Sequence, residues 1–205
     1  MNHRELPEDK YLEDIRTIKE FLLKTESQPI YENWAFYVWG VLVIVAGMVH
    51  YYVEKRYNLR IGELFLRVWL PFILLSGFAE IISLVRNLEK NSMTIFSRSI
   101  LKFYMSLIGE TFVFGFVVLV IIRLNGVRYL PLTFLVMTAG WYFVFAMYFY
   151  TQLFYHAFGF IVLGFILFLL NVDHRLLVPL IASIIGISSL VVGFTSTLKK
   201  RKEER

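Results

Sequence analysis

Two glutamates stand inside apolar stretches where a bilayer makes an ionised side chain unfavourable by about 2.5–3.5 kcal/mol even on the lenient insertion scale. Glu80 lies within residues 64–85 and Glu110 within residues 103–122. Each belongs to a polar stripe. Ser76, Glu80, Ser83 and Asn87 recur at intervals of 4, 3 and 4, and Lys102, Ser106 and Glu110 at intervals of 4, so each set falls on one helix face. Such faces turn towards a bundle interior or a wet cavity rather than towards lipid. Three chemistries fit carboxylates placed in this way. They hold helix register, protonated or paired with Arg86, Lys102 or tyrosines; they form a proton- or cation-binding site; or they act as general acid and base in an intramembrane lipid-modifying enzyme, assisted by His156.

Other chemistry is poorly supplied. The chain has 205 residues and no cysteine, which excludes disulfides, thiolate metal ligands and thiol nucleophiles. His50 and His156 fall at opposite ends of their spans and cannot share a haem iron. His50 with Asp173 and His174 is a thin set for a metal. There is no G-x-S-x-G elbow, no H-E-x-x-H and no glycine-rich phosphate loop. We therefore expect no cofactor and no metal.

Membrane helices must position these residues. With 58% hydrophobic and only 18% charged residues, the chain is too apolar to cover a soluble surface. The charges crowd the first 30 residues, short connectors and the last seven. About 20 apolar residues cross a hydrocarbon core of about 30 Å. Six spans result, at residues 31–53, 64–85, 103–122, 130–156, 157–172 and 176–198, with Pro71 a kink in the second. The predicted fold is an all-α integral membrane protein. Its six-transmembrane-helix bundle covers residues 31–198, preceded by an N-terminal cytoplasmic amphipathic helix and linker at residues 1–30 and followed by a basic tail at residues 199–205. No cleavable signal peptide is expected, the first span serving as insertion signal.

An even number of spans puts both termini on one side. With that side inside, the inner segments carry two thirds of the 21 lysines and arginines, which favours cytoplasmic termini. The net charge of +5 reads as orientation and attraction to anionic lipid rather than as a nucleic-acid surface. Counting residues from the connectors sets Glu80 and Glu110 roughly 7–11 Å deep, at matching depth on the terminal side, with His156 at the same face.

Two stripes speak to packing and partners. Ala182, Gly186, Ser189 and Gly193, at intervals of 4, 3 and 4, let another backbone approach closely, within the bundle in preference to a dimer. In residues 7–24, Tyr11, Ile15, Ile18 and Leu22 repeat at 4, 3 and 4 on one face. That helix either lies on headgroups or serves as a handle for a protein partner or self-association.

Asp14-Ile15-Arg16, Ile18, Glu20 and Leu22, followed by Trp39-Gly40 and Ala46-Gly47, resemble the opening of a broad group of uncharacterised bacterial multi-pass membrane proteins. The resemblance covers about the first quarter of the chain. It implies an architecture and a bacterial inner membrane, and implies no mechanism. Residues 31–37 are aromatic-rich where that group has small residues. The leading expectation is a non-enzymatic membrane protein acting through partners, as sensor, subunit or scaffold. The alternative is a small transporter or channel using the carboxylate pair.

Overall fold

Apolar runs bounded by charged connectors satisfy their backbone groups internally, and in lipid that means helices. The computed structural model describes residues 15–16, 31–57, 59, 61–90, 98–124, 126–148 and 151–203. The amphipathic helix expected over residues 7–24 lies outside these apart from Ile15 and Arg16. The described residues contain no strand. Their main helices are α1 (Trp34–Tyr57), α2 (Leu70–Lys90), α3 (Arg98–Arg123), α4 (Leu130–Tyr148), α5 (Leu153–Leu169) and α6 (His174–Glu203). One helical turn (Ile61–Leu64) and a π-helical turn (Phe65–Trp69) lead into α2. Pro71, at the second position of α2, lacks the N–H that would bond to the carbonyl of Arg67, so a widened turn lies where an α-helical ladder would break.

Among the described residues, five helical segments are long and apolar enough to cross a membrane. At 17 residues α5 is shorter, about 25 Å, near the lower limit for a crossing. It runs antiparallel along α4. Phe143 meets Phe154 at 4.9 Å, Tyr142 meets Phe160 at 5.2 Å and Tyr129 meets Phe168 at 5.6 Å between ring centroids. The result is a helical bundle of multi-pass membrane type. Two boundaries differ from the expected ones. α5 begins at Leu153, so His156 sits one turn inside a helix and not at the end of the preceding one; the intervening residues carry too little charge to mark the turn. α6 runs on to Glu203, making the start of the basic segment an extension of the last helix.

Small residues decide the closest pairing, that of α1 with α6. A Cβ on Gly40 would stand 2.7 Å from the carbonyl oxygen of Gly186, and one on Gly186 2.6 Å from that of Gly40. Only glycine permits this approach. Gly47 abuts Ala182, and a Cβ on Gly193 would come within 3.3 Å of the Asn33 carbonyl oxygen. Ser189 instead faces α4, where its hydroxyl bonds that of Tyr142 at 2.8 Å. The core centres on α4, through Leu135, Ala139, Tyr142 and Phe145, with Phe103 of α3, Leu153 and Ala157 of α5 and Val192 of α6. α3 lies on α4 and is the most outward helix; Phe112, Phe116 and Leu119 are exposed.

Candidate functional site

The polar stripe of α2 faces the head of α1. The two helices are antiparallel, with His50 on Trp69 near one end and Tyr31 on Glu80 near the other, so the register is fixed at both ends. The Tyr31 hydroxyl donates to Glu80 Oε1 and lies 3.2 Å from the hydroxyl of Tyr104 on α3. Next along the stripe, fully buried Ser83 accepts the backbone N–H of Glu32 at 2.8 Å. This bond satisfies a donor at the head of a helix that would otherwise lack a partner. Asn87, the last member, is also buried. The Glu32 carboxylate, at the positive end of α1, accepts from the Trp34 indole at 2.6 Å and lies 4.0 Å from the Arg86 guanidinium. Ser76 contributes its backbone carbonyl, which accepts from the Trp39 indole at 3.4 Å.

Aromatic side chains floor this site. Tyr31 and Trp39 both pack on Phe145, and Phe103 meets Phe145 edge-on at 4.9 Å. Between them and Glu80 is a cavity of about 10 Å³ lined by Tyr31, Ala35, Phe36, Trp39 and Phe145. That volume is the least that admits one water molecule. The arrangement holds a carboxylate in an apolar setting by a chain of hydroxyls, Tyr104 to Tyr31 to Glu80, and offers space for no larger ligand beside it.

Glu110 takes different neighbours. It lies against α4 at Gly140, where a Cβ would collide with its Oε1, and its buried Oε2 has no hydrogen-bond partner among the described residues. Glu110 is six residues beyond Tyr104 on α3, about 9 Å of helix rise. The two carboxylates take separate partners: Glu80 the hydroxyl of Tyr31 at the head of α1, Glu110 the glycine of α4. Ser106, from the same stripe, bonds back to the Lys102 carbonyl at 2.9 Å and approaches the Tyr148 hydroxyl at 3.4 Å.

His156 belongs to a third group. Its Nδ1 is 2.7 Å from the hydroxyl of Ser188 on α6, and its ring lies beside that of Tyr142, itself bonded to Ser189. The structure thus separates Glu80, Glu110 and His156 into three neighbourhoods. On the opposite face His50 is satisfied at both ring nitrogens, with Trp69 donating to Nδ1 at 3.0 Å and Glu54 3.5 Å from Nε2. Among the described residues no three His, Asp or Glu gather as metal ligands.

Sequence reasoning missed Ser188 and did not single out Tyr31 and Glu32. Ser189 was read for its size in a stripe of small residues, whereas its neighbour Ser188 carries the bond to His156. Tyr31 and Glu32 were legible only as aromatic and acidic residues opening the first span, because their partners depend on how α1 and α2 align. No family model, curated protein or solved structure matches the chain.

Proposed function

We propose that this chain is a non-enzymatic multi-pass membrane protein that acts through a protein partner, as sensor, subunit or scaffold. In this reading residues 1–30 are its cytoplasmic handle and the cell inner membrane of a bacterium is its location. One observation carries the reading: residues 31–34, which follow the handle, are tied to α2 and α3 by Tyr31, Glu32 and Trp34 through Glu80, Ser83, Arg86 and Tyr104. A pull on the segment ahead of Tyr31 is therefore delivered to two further helices, and the polar residues of α2 are engaged in that connection. Deletion of residues 1–28 tests it. The expected outcome is a bundle that still elutes as a folded particle in detergent but loses its crosslinked partner in intact cells; unchanged crosslinking defeats the handle.

A second reading, a small transporter or channel, is favoured by one observation, the buried Glu110 oxygen without a hydrogen-bond partner among the described residues. An ionisable group inside a membrane is a default candidate for proton or cation handling. Glu110 carries it rather than the pair. A pH- or cation-driven flux in proteoliposomes that Glu110→Gln abolishes and Glu80→Gln leaves intact is the expected signature. Absence of flux from the native chain removes this reading.

A further inference from the structure

The stripe that carries Glu110 is polar on one side of that residue only. Lys102, Ser106 and Glu110 follow each other at intervals of 4 on α3, about 6 Å of rise per step. Lys102 is exposed and stands two residues from Tyr104, whose hydroxyl meets that of Tyr31, so the stripe opens on the side of the α1 head. Ser106 comes one turn further in. Its hydroxyl donates to the Lys102 carbonyl at 2.9 Å and stands 3.4 Å from that of Tyr148, which puts hydrogen-bonding groups on both α3 and α4. Glu110 ends the stripe, with Gly140 of α4 against it and its Oε2 buried without a hydrogen-bond partner among the described residues.

Beyond Glu110 the chemistry changes. From Phe112 to Ile122 α3 has no polar side chain, a run of about 15 Å. One turn past Glu110, Phe114 meets Phe134 of α4 at 5.4 Å between ring centroids. On α4 the hydroxyls of Thr133 and Thr138 are turned back on the carbonyls of Tyr129 and Phe134. A polar path therefore reaches Glu110 from the α1 head and stops there.

Two observations choose the ligand. Hard cations such as Mg²⁺ and Ca²⁺ take six or more oxygen ligands. Here α3 and α4 supply one carboxylate, their carbonyls being held within the helices, and among the described residues no cluster of acidic residues and histidines gathers to hold a metal. A proton needs a single oxygen. Lys102, at the mouth of the stripe, also repels a hydrated metal ion, whereas a proton passes by exchange between hydrogen-bonded groups. Lys102 and Tyr148 are the titratable groups that the described residues of α3 and α4 bring to this face beside Glu110.

We propose that Glu110 is a proton-binding site, filled from the side of the α1 head and closed to the other side. The proposal rests on the reading of Glu110 as the ionisable group that handles a proton or cation, and adds which ion and from where. Binding converts the carboxylate to a neutral carboxylic acid, one oxygen taking the proton from water at the α1 head. An open pore needs polar groups on both sides of the acid. With polar groups on one side only, Glu110 takes up and returns protons at a single face, and passage across requires α3 to move on α4.

The test is infrared difference spectroscopy of the full chain in proteoliposomes, where the protonated carboxyl of Glu110 is the band that Glu110→Gln removes. A tag on the C-terminal end, which lies at the α1 head because Thr197 of α6 meets Tyr37 there, selects vesicles of one orientation. Lowering the pH on the tagged side is expected to raise the band, and lowering it on the opposite side alone to leave it unchanged. Ser106→Val is expected to slow the rise after a pH jump about tenfold and to leave its final height as in the native chain. Na⁺, K⁺ or Mg²⁺ added at constant pH is expected to have no effect. An equal response to both sides, displacement of the band by any of these cations, or a band indifferent to pH overturns the proposal. Flux is read in the same vesicles. No flux from the native chain removes transport and leaves the proton site to stand on the infrared titration; a cation-driven flux at constant pH that Glu110→Gln abolishes keeps transport and overturns the proton.

Discussion

At the scale of single residues, Tyr31 matters most, because a single hydroxyl serves Glu80 and contacts Tyr104. Removing it leaves a carboxylate in an apolar setting with nothing in its place. Tyr31→Phe is therefore expected to lower stability by about 1–3 kcal/mol, measured as detergent-resistant unfolding followed by circular dichroism. Glu80→Gln keeps an oxygen acceptor for the same hydroxyl and is expected to cost less than Tyr31→Phe. A double-mutant cycle decides whether the two act as one unit, with a coupling of at least about 0.5 kcal/mol expected; additive losses would sink the connection between them. The Glu80 stripe was legible because serine, glutamate and asparagine at helical spacing in an apolar run have few places to face. Its partner was not, since Tyr31 lies 49 residues away and reaches Glu80 only in the register that the π-turn at Phe65–Trp69 leaves.

At the scale of elements, backbone contact between α1 and α6 is the closest packing in the bundle, and glycines at different positions carry opposite expectations. Gly186→Leu puts a side chain where the Gly40 carbonyl and Ile44 already stand, so α1 must move away. We expect loss of the monodisperse folded peak on size exclusion. Gly109 has nothing within 4 Å of the place a Cβ would take, so Gly109→Ala is expected to be neutral or to raise the melting temperature through better helix propensity, worth about 0.5–1 kcal/mol. Destabilisation at Gly109 as large as at Gly186 would mean that packing is not the reason for either. The α6 stripe, with the exception of Ser189, which is turned to Tyr142 of α4, could be read from sequence, because small residues at 4, 3 and 4 allow a backbone to approach closely. Its partners Gly40 and Gly47 stand seven apart on α1, two turns, and were noticed only as part of a resemblance. The α4–α5 turn was blurred for a simpler reason: residues 149–152 offer no charged connector, and hydropathy cannot place a boundary inside an uninterrupted apolar run.

At the scale of the whole molecule, the helix pairs are antiparallel neighbours in sequence, α1 with α2, α3 with α4 and α4 with α5, closed by α6 returning to α1. Alternation of this kind places Glu89 and Lys199 on one face and Arg128 on the other. The sequence proposes a direction: in the six-span topology expected from it, segments on the side of the termini hold two thirds of the lysines and arginines, and the positive-inside rule would make that side cytoplasmic. Arg56 and Arg67 lie against that preference and make the bias a sum over the chain rather than a property of each connector. Since the sequence contains no cysteine, single substitutions report without background. In intact cells a membrane-impermeant maleimide is expected to label Arg128→Cys and to spare Glu89→Cys and Lys199→Cys until the membrane is opened. Labelling of Glu89→Cys and Lys199→Cys alone would keep the six crossings and reverse the orientation, moving the α1 head and its Tyr31–Glu80 connection to the outer face. Labelling of Lys199→Cys together with Arg128→Cys would break the alternation between α4 and α6, and α5, at 17 residues, is where a crossing would then be lost; labelling of Glu89→Cys together with Arg128→Cys would put the loss at α3.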